Sequence, residues 1–121
     1  MTRYFFIILS FLLCAACGDT RVETCPDGSC TQTCESGDCE LGCQANADCE
    51  ADCLGGGCRY ACDGESDCNI TCTGGDCRID CSEQADCMVT CPGGGCVFNC
   101  VDASSCNGTC TGDGCTGNGF E

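Results

Sequence analysis

The chain has 121 residues, of which 22 are cysteines and 18 are glycines, and its formal net charge is −15. It has no Lys and no His, and this charge excludes nucleic acid as a partner, because binding nucleic acid requires basic side chains that neutralise phosphates. With only two Tyr, five Phe and no Trp, little apolar surface can be buried. Covalent links must therefore replace a hydrophobic core, as in a disulfide scaffold made for an oxidising compartment.

Residues 1–16 have the features of a secretory signal peptide. Arg3 supplies a positive charge, and the apolar run Tyr4–Leu13 that follows is too short to cross a bilayer as a stable helix. The small residues Ala15 and Ala16 then mark a cleavage site that would make Cys17 the first mature residue.

The run Leu13–Cys17 resembles a bacterial lipobox, in which the cysteine at the cut is lipidated, although Cys14 stands where that pattern usually has Leu. Cysteine parity also favours lipidation. Without Cys14 and with Cys17 acylated, 20 of the 22 cysteines remain, an even number that can all pair. The alternative is a plain secretory signal that leaves Cys17 free or paired between molecules. We predict residues 17–24 to be the lipidated cysteine and a short linker, and Gly18 favours the outer membrane.

From Cys30 onward the gaps between cysteines repeat as 4, 5, 4 and 6 residues, a period of 19 residues. Such a period is typical of a solenoid, in which each unit contacts mainly its neighbours. We therefore predict a repeat domain over 25–115 and a tail over 116–121. The equivalent cysteines of successive repeats are Cys34, Cys53, Cys72, Cys91 and Cys110.

The three-residue spacers between cysteines read as short strands. In Cys96–Cys100 the middle residue Phe98 shares a face with both cysteines, because alternate residues of a strand point the same way. The other inserts are rich in Gly, Asp, Asn and Ser, which favour turns. The predicted fold is all-β, or an irregular small disulfide-rich fold, in the form of a β-solenoid with two strands in each 19-residue coil.

Two pairing schemes remain open for the cysteines. Cysteines at the two ends of one strand lie roughly 13 Å apart, beyond the ~7 Å limit for a disulfide, whereas stacked cysteines such as Cys34 and Cys53 lie ~4.8 Å apart and could pair. Closing each turn also uses every cysteine of the repeats once. The turn-closing pairs are Cys25 with Cys30, Cys34 with Cys39, Cys43 with Cys49, Cys53 with Cys58, Cys62 with Cys68, Cys72 with Cys77, Cys81 with Cys87, Cys91 with Cys96, Cys100 with Cys106, and Cys110 with Cys115.

One steric conflict accompanies turn closure. A disulfide holds two Cα atoms about 6 Å apart, whereas sheets that face one another across apolar side chains prefer ~10 Å. Side chains as large as Tyr60 and Phe98 would then fit only if the coil bulges at its middle.

No catalytic set is present. Without His, the common base for a Ser or Cys nucleophile is missing, and a zinc site would need thiolates that disulfide formation consumes. A metallothionein-like metal store would contain adjacent cysteine pairs, which this chain lacks. We therefore expect a protein that is not an enzyme and has no resident cofactor.

Three aspartates, Asp48, Asp67 and Asp86, recur at intervals of 19 residues. Stacked in a solenoid, these carboxylates would lie ~5 Å apart and repel one another unless a cation neutralised them. The run Gly74–Asp76 is similar to part of the calcium-binding nonapeptide of RTX solenoids. Calcium-dependent binding is one hypothesis for this row, and an aspartate that caps its own turn is the other.

Threonines form a second periodic row on the outward side of the strands. The Thr-Cys-Thr motifs at 71–73 and 109–111 resemble the ice-binding face of beetle antifreeze solenoids, in which every coil carries such a motif. Here the row is Thr33, Asp52, Thr71, Thr90 and Thr109, and the partner positions include Glu35, Leu54 and Pro92, so the array is broken. Ice binding is therefore a third hypothesis.

The stretch Cys17–Cys115 resembles, in cysteine spacing and composition, the cysteine-rich repeat lipoproteins of myxobacteria and related bacteria. The resemblance implies a bacterial cell envelope protein, held at the outer membrane through a lipid anchor, or otherwise a secreted one. It implies no activity. We expect a structural or interaction module whose protein or glycan partner the sequence leaves open.

Overall fold

The computed structural model describes residues 22–101 and 105–120, which form an all-β structure. Residues 1–21, with the predicted signal peptide and the lipidation site Cys17, lie outside the described residues. None of the described residues belongs to a helix long and apolar enough to cross a membrane. The strands are β1 (Val22–Cys25), β2 (Ser29–Cys34), β3 (Glu40–Cys43), β4 (Asp48–Cys53), β5 (Arg59–Cys62), β6 (Asp67–Thr71), β7 (Arg78–Cys81), β8 (Asp86–Cys91), β9 (Val97–Cys100) and β10 (Ser105–Cys110).

The strands alternate between two parallel sheets of five strands each. Sheet A has the order β1-β3-β5-β7-β9, and sheet B has the order β2-β4-β6-β8-β10. Pairing joins equivalent positions of successive repeats, as in Tyr60 with Ile79 and Ile70 with Val89. The predicted β-solenoid of about five 19-residue coils is therefore confirmed.

The coils extend slightly beyond the stretch bounded by the cysteines. Strand β1 begins at Val22, within the predicted linker, because its backbone pairs with β3 from that residue onward. At the other end Thr116 forms an isolated bridge with Val97, and Phe120 forms one with Gly108. The residues on both sides of the cysteine stretch are thus hydrogen-bonded to the outer coils.

The core lies between the two sheets, and its largest fully buried side chain, Phe98, faces a glycine. Phe98 of sheet A is fully buried, and a Cβ atom added to Gly108 of sheet B would come within 2.9 Å of its ring. The disulfides hold their Cα atoms 6.1 to 6.5 Å apart, as turn closure requires. The steric conflict expected for Phe98 is therefore relieved by a missing side chain opposite it.

The first coil ends in a polar core group. Gln32 is buried, and its Nε2 donates a hydrogen bond to the carbonyl oxygen of Glu23 at 3.2 Å. The hydroxyl of Tyr60 donates to Gln32 Oε1, and burial, with a smaller effect from Glu23, raises the pKa of Tyr60 well above its ordinary value. Tyr60 is thus accommodated by pointing its hydroxyl at a buried partner, where it remains protonated.

The last coil ends in an apolar plug. The ring of Phe120 packs edge-on against Phe98, with centroids 5.6 Å apart. The side-chain amide of Asn118 makes two hydrogen bonds of 2.7 Å with the backbone of Cys100. Its Nδ2 donates to the Cys100 carbonyl oxygen, and its Oδ1 accepts from the Cys100 N–H. The residues after Cys115 therefore cap the solenoid, which protects the exposed end of a repeat array.

The turns from sheet B to sheet A contain backbone conformations that favour glycine. Gly57 has a φ of +68°, and a Cβ atom there would meet the carboxylate of Asp38 in the preceding coil. Gly95, with a φ of +69°, stands in the same relation to Asp76. An aspartate in one coil therefore requires a glycine at the same turn position of the next coil.

Disulfide columns and candidate functional surfaces

Ten disulfides join the described cysteines, and all of them close turns. Of the two schemes that the sequence leaves open, the structure has the one with partners five or six residues apart. We call each disulfide a rung. The BA column closes turns from sheet B to sheet A: Cys34–Cys39, Cys53–Cys58, Cys72–Cys77, Cys91–Cys96, Cys110–Cys115. The AB column closes the opposite turns: Cys25–Cys30, Cys43–Cys49, Cys62–Cys68, Cys81–Cys87, Cys100–Cys106.

Neighbouring rungs of a column bring their sulfur atoms close together. The Sγ atoms of Cys53, Cys72 and Cys77 all lie within 4.8 Å of one another, and Cys72 stands in the same relation to Cys91 and Cys96. Such trios have the spacing of metal ligands, but each of these sulfurs is bonded to another sulfur. In the oxidised protein the trios are therefore a consequence of close stacking between rungs and not a set of metal ligands.

The three aspartates predicted as a metal row are brought into one line. Asp48 pairs in register with Asp67, and Asp67 pairs with Asp86, so that one carboxylate per coil stands at the start of a sheet B strand. All three side chains are exposed. The backbone N–H of Asp67 donates to the carbonyl oxygen of Ala47. The backbone N–H of Asp86 likewise donates to the carbonyl oxygen of Ser66. These N–H groups thus belong to the ladder between coils, which leaves the carboxylates facing solvent.

A second acidic group lies on the turns from sheet A to sheet B, and sequence reasoning missed it. Glu83 Oε2 accepts a hydrogen bond from the N–H of Gly64 at 2.9 Å. Burial, followed by the nearby charge of Glu83, raises the pKa of Asp63. Asp63 and Glu83 occupy adjacent positions in the longer turns of successive coils, so aligning those turns could have revealed their proximity.

The threonine row also lies in register on the outer face of sheet B. Thr33 pairs with Asp52, and Asp52 pairs with Thr71, which is followed by Thr90 and Thr109 in the next coils. Asp52 interrupts the row, and Oδ1 of this residue accepts a hydrogen bond from the hydroxyl of Thr73 at 3.1 Å. The uninterrupted part therefore covers the three C-terminal coils.

The outer face of sheet A carries the two basic side chains of the described residues. Arg59 and Arg78 are register partners on β5 and β7, and Arg78 Nε donates to Asp80 Oδ2 at 3.3 Å. Beside them Gly42 and Ala61 contribute to the lining of a cleft of about 310 Å³. Sequence reasoning missed this face, although two arginines at the same position of successive repeats predict their adjacency.

Comparison of the chain with protein-family models, with curated proteins and with solved structures finds no match to any of them. A function for the chain must therefore be inferred from its fold and from these surfaces.

Proposed function

We propose that this protein is a non-enzymatic structural or interaction module of the bacterial cell envelope, anchored in the outer membrane through a lipid on Cys17. The observation that carries the structural part is the rung at every turn. By loop entropy each rung of six or seven residues contributes about 2 kcal/mol. Such a rod keeps its shape with a core only one or two side chains wide, which suits an exposed extracellular position.

The sheet A face supports an interaction role. Glu40, Arg59, Arg78 and Asp80 balance in charge there, whereas sheet B carries the Asp48, Asp67 and Asp86 row. A partner that avoids the strongly acidic surfaces would approach the neutral face.

The size of the sheet A face argues against self-association as its purpose. Five strands ~4.8 Å apart and four residues long at ~3.3 Å give a face of roughly 300 Å². Two such faces would bury about 600 Å², well below the ~1,200 Å² of a stable interface. The partner is therefore better sought in a different molecule with a small footprint, such as a glycan or an extended peptide.

The anchoring part is tested by producing the full chain and a Cys17→Ser variant in a Gram-negative bacterium. We expect the unaltered protein in the outer-membrane fraction, with the mass of an acylated N-terminal cysteine, and the variant in a soluble fraction. If the unaltered protein is recovered soluble with an unmodified Cys17, the anchor is refuted and secretion is the better description.

Calcium-dependent binding is the second candidate, favoured by the in-register row of exposed carboxylates. Titration calorimetry with Ca²⁺ would compare the protein with a variant in which Asp48, Asp67 and Asp86 are all changed to Asn. Heat that the variant loses supports the site, whereas equal heats in both proteins would reject it.

Ice binding is the third candidate, supported by the in-register threonines of the last three coils. Thermal hysteresis would measure it directly. A Thr90→Lys substitution at the centre of the row should abolish any hysteresis, while no hysteresis in the unaltered protein would end this hypothesis.

A further inference from the structure

The first four rungs of the BA column lie with their sulfur atoms close together. Cys58 Sγ lies within 4.8 Å of both sulfurs of the Cys34–Cys39 rung, and Cys53 Sγ lies equally close to both sulfurs of the Cys72–Cys77 rung. Cys72 continues the series to the rung Cys91–Cys96. Each of these three steps thus places one sulfur of a rung beside both sulfurs of its neighbour.

The AB column contains the same arrangement at one step. There Cys87 Sγ lies within 4.8 Å of both Cys62 and Cys68. The two columns are separated by the strands between them, since two cysteines at the ends of one short strand lie roughly 13 Å apart. Contacts between sulfurs therefore run along a column and not from one column to the other.

Among the described cysteines, access from solvent is confined to the last rung of each column and to Cys30 in the first coil. The interior rungs are almost fully covered, as shown by Cys72 and Cys87, which expose none of their surface. In contrast, Cys106, Cys110 and Cys115 of the last coil are partly exposed. A dissolved thiol can attack the outer rungs, whereas chemistry at an interior rung must come from its neighbours.

We propose that each column is a path for thiol–disulfide exchange, along which a thiolate passes from coil to coil. In one step, the thiolate sulfur of Cys53 attacks Cys72, its stacked neighbour, a bond forms between these two sulfurs, and the Cys72–Cys77 bond breaks. The electron pair of the broken bond leaves with Cys77 as a thiolate, so that no sulfur is oxidised or reduced overall. Cys77 is stacked on Cys96 of the next coil, because the strands that follow these two cysteines pair in register, and the step can repeat there.

The intermediate bonds of this exchange fit the backbone. Stacked cysteines have Cα atoms ~4.8 Å apart, within the range that a disulfide spans. Register pairs such as Cys91 with Cys110 extend the path to the last rung. A thiol formed at a buried rung could thus reach the exposed end of the rod, where an external disulfide or oxidoreductase can oxidise it. This property goes beyond a structural or interaction role and does not depend on it.

The test uses a Cys58→Ser variant, in which Cys53 is left without its partner. The variant is incubated at about pH 8.5, where thiolates form, or at about pH 4, where they do not. It is then quenched with acid, denatured and labelled with a maleimide, and the labelled cysteines are mapped by mass spectrometry. At the alkaline pH we expect the label to spread from Cys53 to Cys77, Cys91 and Cys115, the cysteines that successive steps release, and at the acid pH to stay on Cys53.

A Cys81→Ser variant is the matched control, because it leaves Cys87 unpaired in the other column. Cys87 is in register with Cys68, so its label should spread to Cys62 and remain absent from the BA column. Label confined to Cys53 and to Cys87 after long alkaline incubation would overturn the proposal. Label in both columns of each variant would also overturn it, because exchange would then be passing through the unfolded chain.

A measurement on the unaltered protein tests the proposal even if the variants do not fold. The protein is treated with less than one equivalent of dithiothreitol at about pH 8.5 and labelled in the same way. Exchange along the column predicts label on buried Cys72 and Cys77 as well as on Cys110 and Cys115. Label on the last rungs alone would contradict the proposal.

Discussion

At the scale of single residues, the two ends of the core are closed by different chemistry. Gln32 and Tyr60 satisfy one another in the first coils, while Phe120 covers Phe98 in the last. Neither device contains a cysteine. Both are needed because a repeat array has no neighbour beyond its terminal coils to cover the core.

The Gln32–Tyr60 contact predicts strong coupling between these two positions. Gln32→Leu leaves the buried Tyr60 hydroxyl without its acceptor, so we expect a loss of about 1–3 kcal/mol in the free energy of unfolding. Adding Tyr60→Phe removes the orphaned hydroxyl and should restore much of that loss. Denaturant unfolding of the two single variants and the double variant measures the coupling. Additive losses would show that the contact does not form.

The aromatic cap predicts a loss when Phe120 is truncated. Phe120 is half-buried against Phe98, so Phe120→Ala should cost about 2 kcal/mol of unfolding free energy, less than for a fully buried ring. Val22→Ala at the opposite end is the control, because Val22 is 66% exposed and its truncation should cost under about 0.5 kcal/mol. Equal losses in thermal or denaturant unfolding would contradict the capping role.

At the scale of the coil, strands and turns stabilise the fold in different ways. The strand hydrogen bonds link each coil to the next, and the rung fixes the width of each coil. Glycine at Gly57 lets the turn adopt a positive φ beneath Asp38. A coil is thus specified by cysteine spacing together with one turn position.

Removing one rung tests how much stacking adds to loop closure. The rungs Cys72–Cys77 and Cys110–Cys115 close loops of equal length, so loop entropy predicts the same loss of about 2 kcal/mol for each Cys→Ala pair. The interior rung is fully buried and touches neighbouring rungs, so its removal should cost more than that of the exposed last rung. Denaturant unfolding compares the two double variants. A larger loss from the terminal pair would be inconsistent with stacking.

At the scale of the whole molecule, the fold follows from the period of the cysteines and the residues between them. The 19-residue period predicted the coil and the alignment of Asp48, Asp67 and Asp86, because in a solenoid residues one period apart become neighbours. The pairing stayed open since turn closure and stacking both satisfy the reach of a disulfide. That choice depends on the direction of each side chain, which spacing does not encode.

Other features could not be predicted because they depend on which residues face one another across the coil. The complementarity of Phe98 and Gly108 is an example, since the two residues belong to different sheets. The cap formed by Asn118 and Phe120 follows the last cysteine and so has no counterpart in the repeat. The cleft beside Arg59 and Arg78 was predictable in position, but its lining, which includes Gly42 and Ala61, depends on how the side chains of several coils are arranged.

The central claim is a rod in which disulfides close every turn of stacked parallel coils. Mass-spectrometric mapping of the disulfides in the mature, unreduced protein tests it most directly. The account predicts ten bonds, each between cysteines five or six residues apart. Bonds predominantly between equivalent cysteines of neighbouring coils, such as Cys34 with Cys53, or free thiols throughout the repeats, would contradict it.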